Sequence, residues 1–222
     1  MTEKKIGVVF DCDGTLIDSM NVWRELEDDL ARRAHATLTK EDTDALTTMT
    51  IPECSAYMHE KFGLGESPMD VVAMIDDFMS DYYANRCVAR PGALELVRGL
   101  HEAGIPMAVA SSSPKHLLDL GLAHVGMAHY LEAIVSVDQA GKSKRDPDVY
   151  DLARASLGTT RENTWGVEDS LYAVFTLKNA GYRTLAIYDC DMAGSQDDLK
   201  READAFVEMF EGFTAQDFLA LS

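Results

Sequence analysis

From Pro91 onward the chain alternates amphipathic segments with short apolar ones, and few folds accept that rhythm. "PGALELVRGLHEAG" predicts a helix with Pro91 in its first turn and Gly104 at its end, leading into the predicted strand "IPMAVAS". Helix "SPKHLLDLGLAHVG", strand "LEAIVSV", helix "DPDVYDLARASLG", strand "NTWGVED", helix "SLYAVFTLKNAG" and strand "RTLAIYD" follow. A weaker pair, "ADAFVEMF" and "TAQDFLALS", comes last. Successive strands joined by whole helices run parallel, and the helices cover both faces of the sheet. The expectation is an α/β fold built on a doubly wound parallel sheet.

A further strand precedes this series. In "VVFDCDGTLIDS", Val8 to Ser19, an apolar run reads as a central strand that stops in a tight polar turn at Asp13, Gly14 and Thr15. Between it and Pro91 no segment reads as a strand. "SMNVWRELEDDLARRAHA" is amphipathic, "TKEDTDALTTM" opens with a capping-box pattern at Thr39 and Asp42, and "SPMDVVAMIDDFMSDYYA" begins with a Ser67 cap and Pro68. The expected organisation is a core from residues 1–16 and 89–222, with a small all-helical insert over 17–88 after the first strand. Its hinges are expected near Leu16 to Asp18 and Cys87 to Pro91.

Acidic residues outnumber basic ones, 38 against 20, giving a net charge of −18. Such a surface repels a polyphosphate backbone and an anionic membrane, so neither nucleic acid nor membrane is an expected partner. A small anionic substrate stays open, because a metal ion and a few lysines can reverse the field within one cleft. Cys12, Cys54, Cys87 and Cys190 form no CxxC pair and no zinc spacing, and no segment approaches transmembrane length. A soluble cytoplasmic protein with reduced thiols is expected.

Ligands of an open parallel sheet bind at the carboxyl ends of its strands, where the strand order reverses. Those ends carry Asp11 and Asp13 on the first strand and Ser111, Ser112 and Ser113 on the second. Lys142 and Lys144 follow the third, and Glu168, Asp169 and Ser170 end the fourth. Each set has a structural explanation: an Asp13-capped turn, serines or acids capping the next helix, solvated lysines. Together they suit phosphoryl transfer. Carboxylates at i and i+2 of an extended segment point the same way, and like charges so close call for a proton or a cation. Oxygen ligands from Asp11, Asp13, Glu168 and Asp169 fit Mg2+, while Ser111, Ser112 and a lysine are candidate phosphate ligands. One aspartate can attack phosphorus and the other can carry the proton.

These residues resemble the haloacid dehalogenase superfamily, and the resemblance spans nearly the whole chain. "DCDGT" is similar to its first motif, which implies a Rossmann-like core with Asp11 as nucleophile and Asp13 as general acid/base. Ser111 matches the second motif's phosphate-binding hydroxyl. The third motif often reads SKPxPD, and the register of Pro147 and Asp148 makes Lys144 its lysine, with Arg145 where the proline usually stands. "GVEDS" resembles the fourth, which implies Glu168 and Asp169 at a magnesium site to which Asp13 adds its backbone carbonyl.

The insert resembles the cap of the β-phosphoglucomutase-like subgroup, which implies a roof that selects small phosphorylated metabolites. Where the mutase has a cap histidine and a cap arginine, this chain has Trp23 and Pro52. Asp13 also sets the chain apart from true dehalogenases. The expected activity is Mg2+-dependent hydrolysis of a phosphomonoester through an aspartyl phosphate, with a sugar phosphomutase as the alternative and a non-catalytic module a remote third. Trp23 is a candidate substrate contact, although a tryptophan on an amphipathic helix is more often core. A monomer or weak dimer is expected.

Overall fold

A computed structural model of the chain describes residues 5–46, 49, 51–190 and 193–221. Strand β1 (Gly7–Phe10) is followed by four helices, α1 (Met20–Arg33), α2 (Lys40–Leu46), α3 (Ile51–Phe62) and α4 (Pro68–Asn85). Then come α5 (Ala93–Glu102), β2 (Met107–Ser111), α6 (Lys115–His124), β3 (Ala133–Ser136), the single turn α7 (Val137–Ala140), α8 (Asp148–Leu157) and β4 (Thr164–Glu168). The rest is α9 (Leu171–Asn179), β5 (Arg183–Ile187), α10 (Gln196–Glu202), β6 (Ala205–Val207) and α11 (Ala215–Leu219). The strands form one parallel sheet in the order β3-β2-β1-β4-β5-β6, the doubly wound arrangement the alternation predicts. Among the described residues no helix is long and apolar enough to cross a membrane.

The central strands read as unbroken apolar runs because both their faces are covered. Val9, Ala108, Ala110 and Val135 form one face with Val149, Tyr150, Ala153 and Leu157 of α8 and Leu177 of α9. Each valine or leucine among them contributes roughly 1.5–3 kcal/mol by leaving water. Gly166 pairs with Val9 in register, and a Cβ there would overlap the Leu177 side chain, so its bare backbone is what admits α9 to the sheet. On the other face Trp165 meets the ring of Phe218 edge-on at 5.5 Å, which docks α11.

The chain divides into two compact units, one ending at Asp18 and resuming at Cys87, the other running from Ser19 to Arg86. In the first, the outgoing and returning segments are tied side by side: Asp18 N donates to Val88 O (3.0 Å), Arg90 N to Leu16 O (2.9 Å), and Ile17 bridges to Ala89.

The second unit is all helical. Pro68 opens α4, the Ser67 hydroxyl accepts from Asp70 N at 3.3 Å, and Val71, Ile75, Met79 and Tyr83 recur on its buried stripe. The capping box expected at α2 is present, with Thr39 N donating to Asp42 Oδ2 (2.8 Å) and Asp42 N to Thr39 Oγ1 (3.3 Å). Thr47 and Thr48, at the end of that predicted segment, lie outside the described residues. One packing expectation is corrected: Trp23 is exposed rather than core, and Met69 of α4 is exposed as well. Both exposed side chains fall off the stripe that the unit buries.

Candidate active site

The connections to β1 and β4, neighbours at the centre of the sheet, leave in opposite directions, so the crevice lies at their carboxyl ends. Asp11 begins there, its N–H donating to Val167 O at 2.9 Å. The chain then turns tightly: Cys12 O accepts from Leu16 N (2.8 Å) and Ile17 N (2.9 Å), with Gly14 at φ +83°. A Cβ on Gly14 would collide with Asp169 Oδ2, so this glycine serves both the left-handed turn and the approach of the second acid.

Four charged side chains converge with almost no exposure: Asp11 (5%), Lys144 (3%), Glu168 (1%) and Asp169 (4%). Lys144 Nζ donates to Asp11 Oδ1 and to Glu168 Oε1, the latter at 2.7 Å. Oxygens of Asp11, Glu168 and Asp169 lie within 4.8 Å of one another. With all of them ionised, three carboxylates face one ammonium, an excess of two negative charges. Asp11 Oδ2 and Glu168 Oε2 are buried without a hydrogen-bond partner. A buried carboxylate oxygen left bare is costly unless a ligand meets it, and this oxygen-only donor set fits a hard divalent cation such as Mg2+.

The electrostatics carry the same message. Burial holds the Asp11 carboxyl well above the usual range against the pull of Lys144, and Glu168, Asp169 and Asp13 push the same way. Asp169 is pushed up to about 7, by burial and then by Glu168. Burial works against the Lys144 ammonium, but Asp11 and Glu168 outweigh it and its pKa is raised. The lysine stays charged while the acids compete for too little positive charge.

The remaining expected residues are accounted for one by one. Ser111, buried at the end of β2, accepts from Ser113 N at 3.0 Å, and Ser113 Oγ donates to Asp13 Oδ2 at 2.6 Å. Ser113 therefore binds Asp13, and none of these serines caps α6, whose N-cap is Pro114. Ser112 is exposed and lies near Tyr172. Asp169 accepts from Ser170 Oγ at 3.0 Å, and α9 has no side-chain cap. Lys142 is outside the cluster, pairing with Asp148 at 3.2 Å. Trp23 belongs to α1 of the helical unit.

Two partners carry no local signal in the sequence, and a third, Ser113, stands among the strand-end serines without a sign that it bonds Asp13. The Tyr150 hydroxyl donates to Glu168 Oε1 at 2.7 Å, yet Tyr150 occupies an ordinary core position of an amphipathic helix. Arg90, which donates to Tyr188 O at 2.8 Å, ion-pairs with Asp189 beyond β5, next to Gly14, although the two are far apart in sequence.

A family model described as haloacid dehalogenase-like hydrolase matches residues 7–181. Over 173 residues the chain is 26% identical to validoxylamine A 7'-phosphate phosphatase of Streptomyces hygroscopicus subsp. limoneus, covering 78% of this chain and 81% of that protein. It is 27% identical over 179 residues to phosphoglycolate phosphatase of Rhodobacter capsulatus, covering 78% and 80%. Among solved structures, β-phosphoglucomutase from Clostridium difficile is similar in fold, with a TM-score of 0.73 and 16% identity over 98% of this chain and 96% of that one.

Proposed function

The chain belongs to the haloacid dehalogenase-like hydrolases and is a phosphoric monoester hydrolase, and from that premise we propose that it cleaves a small phosphorylated metabolite through a phosphorylated Asp11. The observation that carries this reading is the buried cluster of Asp11, Glu168 and Asp169 around a single lysine, with two bare oxygens at the strand-order reversal.

An Asp11 carboxylate oxygen attacks phosphorus, a phosphorus–oxygen bond forms, and the bond to the ester oxygen breaks. Asp13 gives its proton to the departing alkoxide, then takes one from the water that hydrolyses the aspartyl phosphate and regenerates Asp11. Ser113, bonded to both Ser111 and Asp13, orients the Asp13 carboxyl for that exchange. Ser111, Ser112 and Lys144 hold phosphoryl oxygens as charge redistributes. Lys144 also keeps Asp11 in place, and Tyr150 steadies Glu168. Mg2+, held by Asp11, Glu168, Asp169 and the Asp13 carbonyl, would neutralise the excess carboxylate charge together with that of the bound phosphate. Substrate choice is assigned to the helical unit at residues 17–88, with Trp23 as its candidate contact.

Hydrolysis is preferred to isomerisation because Trp23 and Pro52 stand where a mutase needs a proton-handling histidine and an arginine. The test is turnover of a generic aryl phosphate with and without Mg2+, where metal-independent or absent turnover would contradict the reading. Asp13→Asn should keep its Mg2+ affinity and lose about 10²–10⁴ in kcat. If it keeps its activity, the proton carrier is another group.

A further inference from the structure

Arg145 follows Lys144 directly, and its guanidinium lies over the ring of Tyr172, 5.1 Å from the centroid. Tyr172 is the second residue of α9, close behind Asp169, and Ser112 lies near its hydroxyl. Burial raises the Tyr172 pKa and Lys144 opposes the rise, while Glu168 and Asp11 add to it. The stack thus stands at the rim of the phosphate site, built entirely from the sheet-bearing unit.

Among the described cations with no carboxylate partner, which include Arg183 over Trp165 and Lys200 over Phe206, Arg145 is the one that adjoins Lys144 in sequence. In a chain with a net charge of −18, Lys142, Arg90, Arg154 and Arg161 each pair with a carboxylate. Among the described residues no carboxylate lies within ion-pairing distance of Arg145, which is exposed. A guanidinium stacked by its face keeps its N–H edges free, in a planar fork suited to a carboxylate or a phosphate. The aromatic shelf restricts the side chain in advance, so less freedom is lost when an anion binds.

We infer that Arg145, shelved on Tyr172, binds a second anionic group of the substrate, a carboxylate or a second phosphate, and makes the enzyme prefer phosphomonoesters that carry one. The inference rests on the hydrolase reading above. Arg145 is the specificity residue and Tyr172 its positioning residue.

The experiment measures kcat/KM for matched pairs with Mg2+: phosphoglycolate against ethyl phosphate and phosphoglycerate against glycerol phosphate for a carboxylate, fructose bisphosphate against fructose monophosphate for a second phosphate. The wild type should favour the charged member of at least one pair by about tenfold or more, the worth of one charge-assisted contact. Which arm responds identifies the anion. Arg145→Gln should collapse that ratio through KM, and so should Tyr172→Ala, while Tyr172→Phe keeps the shelf and the ratio. Ratios within a pair are independent of how much enzyme is folded. A wild type that hydrolyses aryl phosphate yet shows no preference in any pair overturns the inference alone. So does a preference that survives in Arg145→Gln. A wild type inactive on every ester overturns the hydrolase reading, and this inference with it.

Discussion

Asp11 in the sheet-bearing unit and Asp42 in the helical unit are both buried aspartates, at 5% and 2% exposure, and each has a lysine partner. Their oxygens differ in what they meet. Asp42 Oδ1 accepts from the Tyr57 hydroxyl (2.5 Å) and Lys61, and Oδ2 from the Thr39 amide (2.8 Å) and hydroxyl (2.7 Å). Lys61 first, then Tyr57 and Thr39, hold its carboxyl well below the usual range. Asp11 shares its lysine with Glu168, keeps Oδ2 bare, and has its carboxyl pushed up by burial. A saturated acid joins two helices, while an unsaturated one beside further acids is a site waiting for a cation or a phosphoryl group.

The contrast breaks first at Asp11. Asp11→Asn should lower kcat on aryl phosphate by about 10⁴-fold or more, as loss of a covalent nucleophile does. The melting temperature of its metal-free form should hold or rise, because one uncompensated buried charge is gone. Retained turnover with a lowered melting temperature would make Asp11 a structural acid like Asp42.

Lys144→Met should come next. It strips the one cation from Asp11 and Glu168 and should cost about 3–5 kcal/mol in urea denaturation, the usual result of orphaning buried charges. A loss below about 1 kcal/mol would be that of a surface pair and would deny the site its buried character.

A third effect is read as pH against stability. Asp169 binds its proton more tightly folded, near pH 7, than unfolded, near 3.8. The stability this proton provides is therefore present at low pH and lost as pH rises from about 4 through about 7. Metal-free protein should melt at progressively lower temperature across that window, and Mg2+ should restore stability most at its alkaline end. A metal-free melting curve that is flat with pH would contradict the reading. Smallest in its effect on catalysis is Asp42→Asn, which should lower the melting temperature but leave aryl phosphate turnover per folded molecule at the wild-type level. A large fall in kcat would mean that the two aspartates are not different in kind.

The sheet was legible because alternating helices and strands of ordinary length leave one arrangement open, and the acids were legible because they end strands. What escaped was held by distance or by shortness. Tyr150 looks like core from its own helix, and its bond to Glu168 exists only once α8 lies on the sheet. Arg90 and Asp189 read as unrelated loop charges until the sheet brings them together. Helix α10 is short and polar, and α3 buries only Ser55 and Met58, so no continuous apolar stripe announces it. Trp23 misled because amphipathicity gives a face on average, while the buried stripe of one unit is set by its neighbours.

The central claim is that the bare oxygens of this cluster serve phosphoryl transfer through Asp11. Acid quenching during turnover of an aryl phosphate with Mg2+, followed by peptide mass analysis, tests it most directly. The account predicts a phosphoryl group on the peptide carrying Asp11 in the wild type and none in Asp11→Asn. Full turnover by Asp11→Asn, or covalent phosphate found only on another residue, would contradict it.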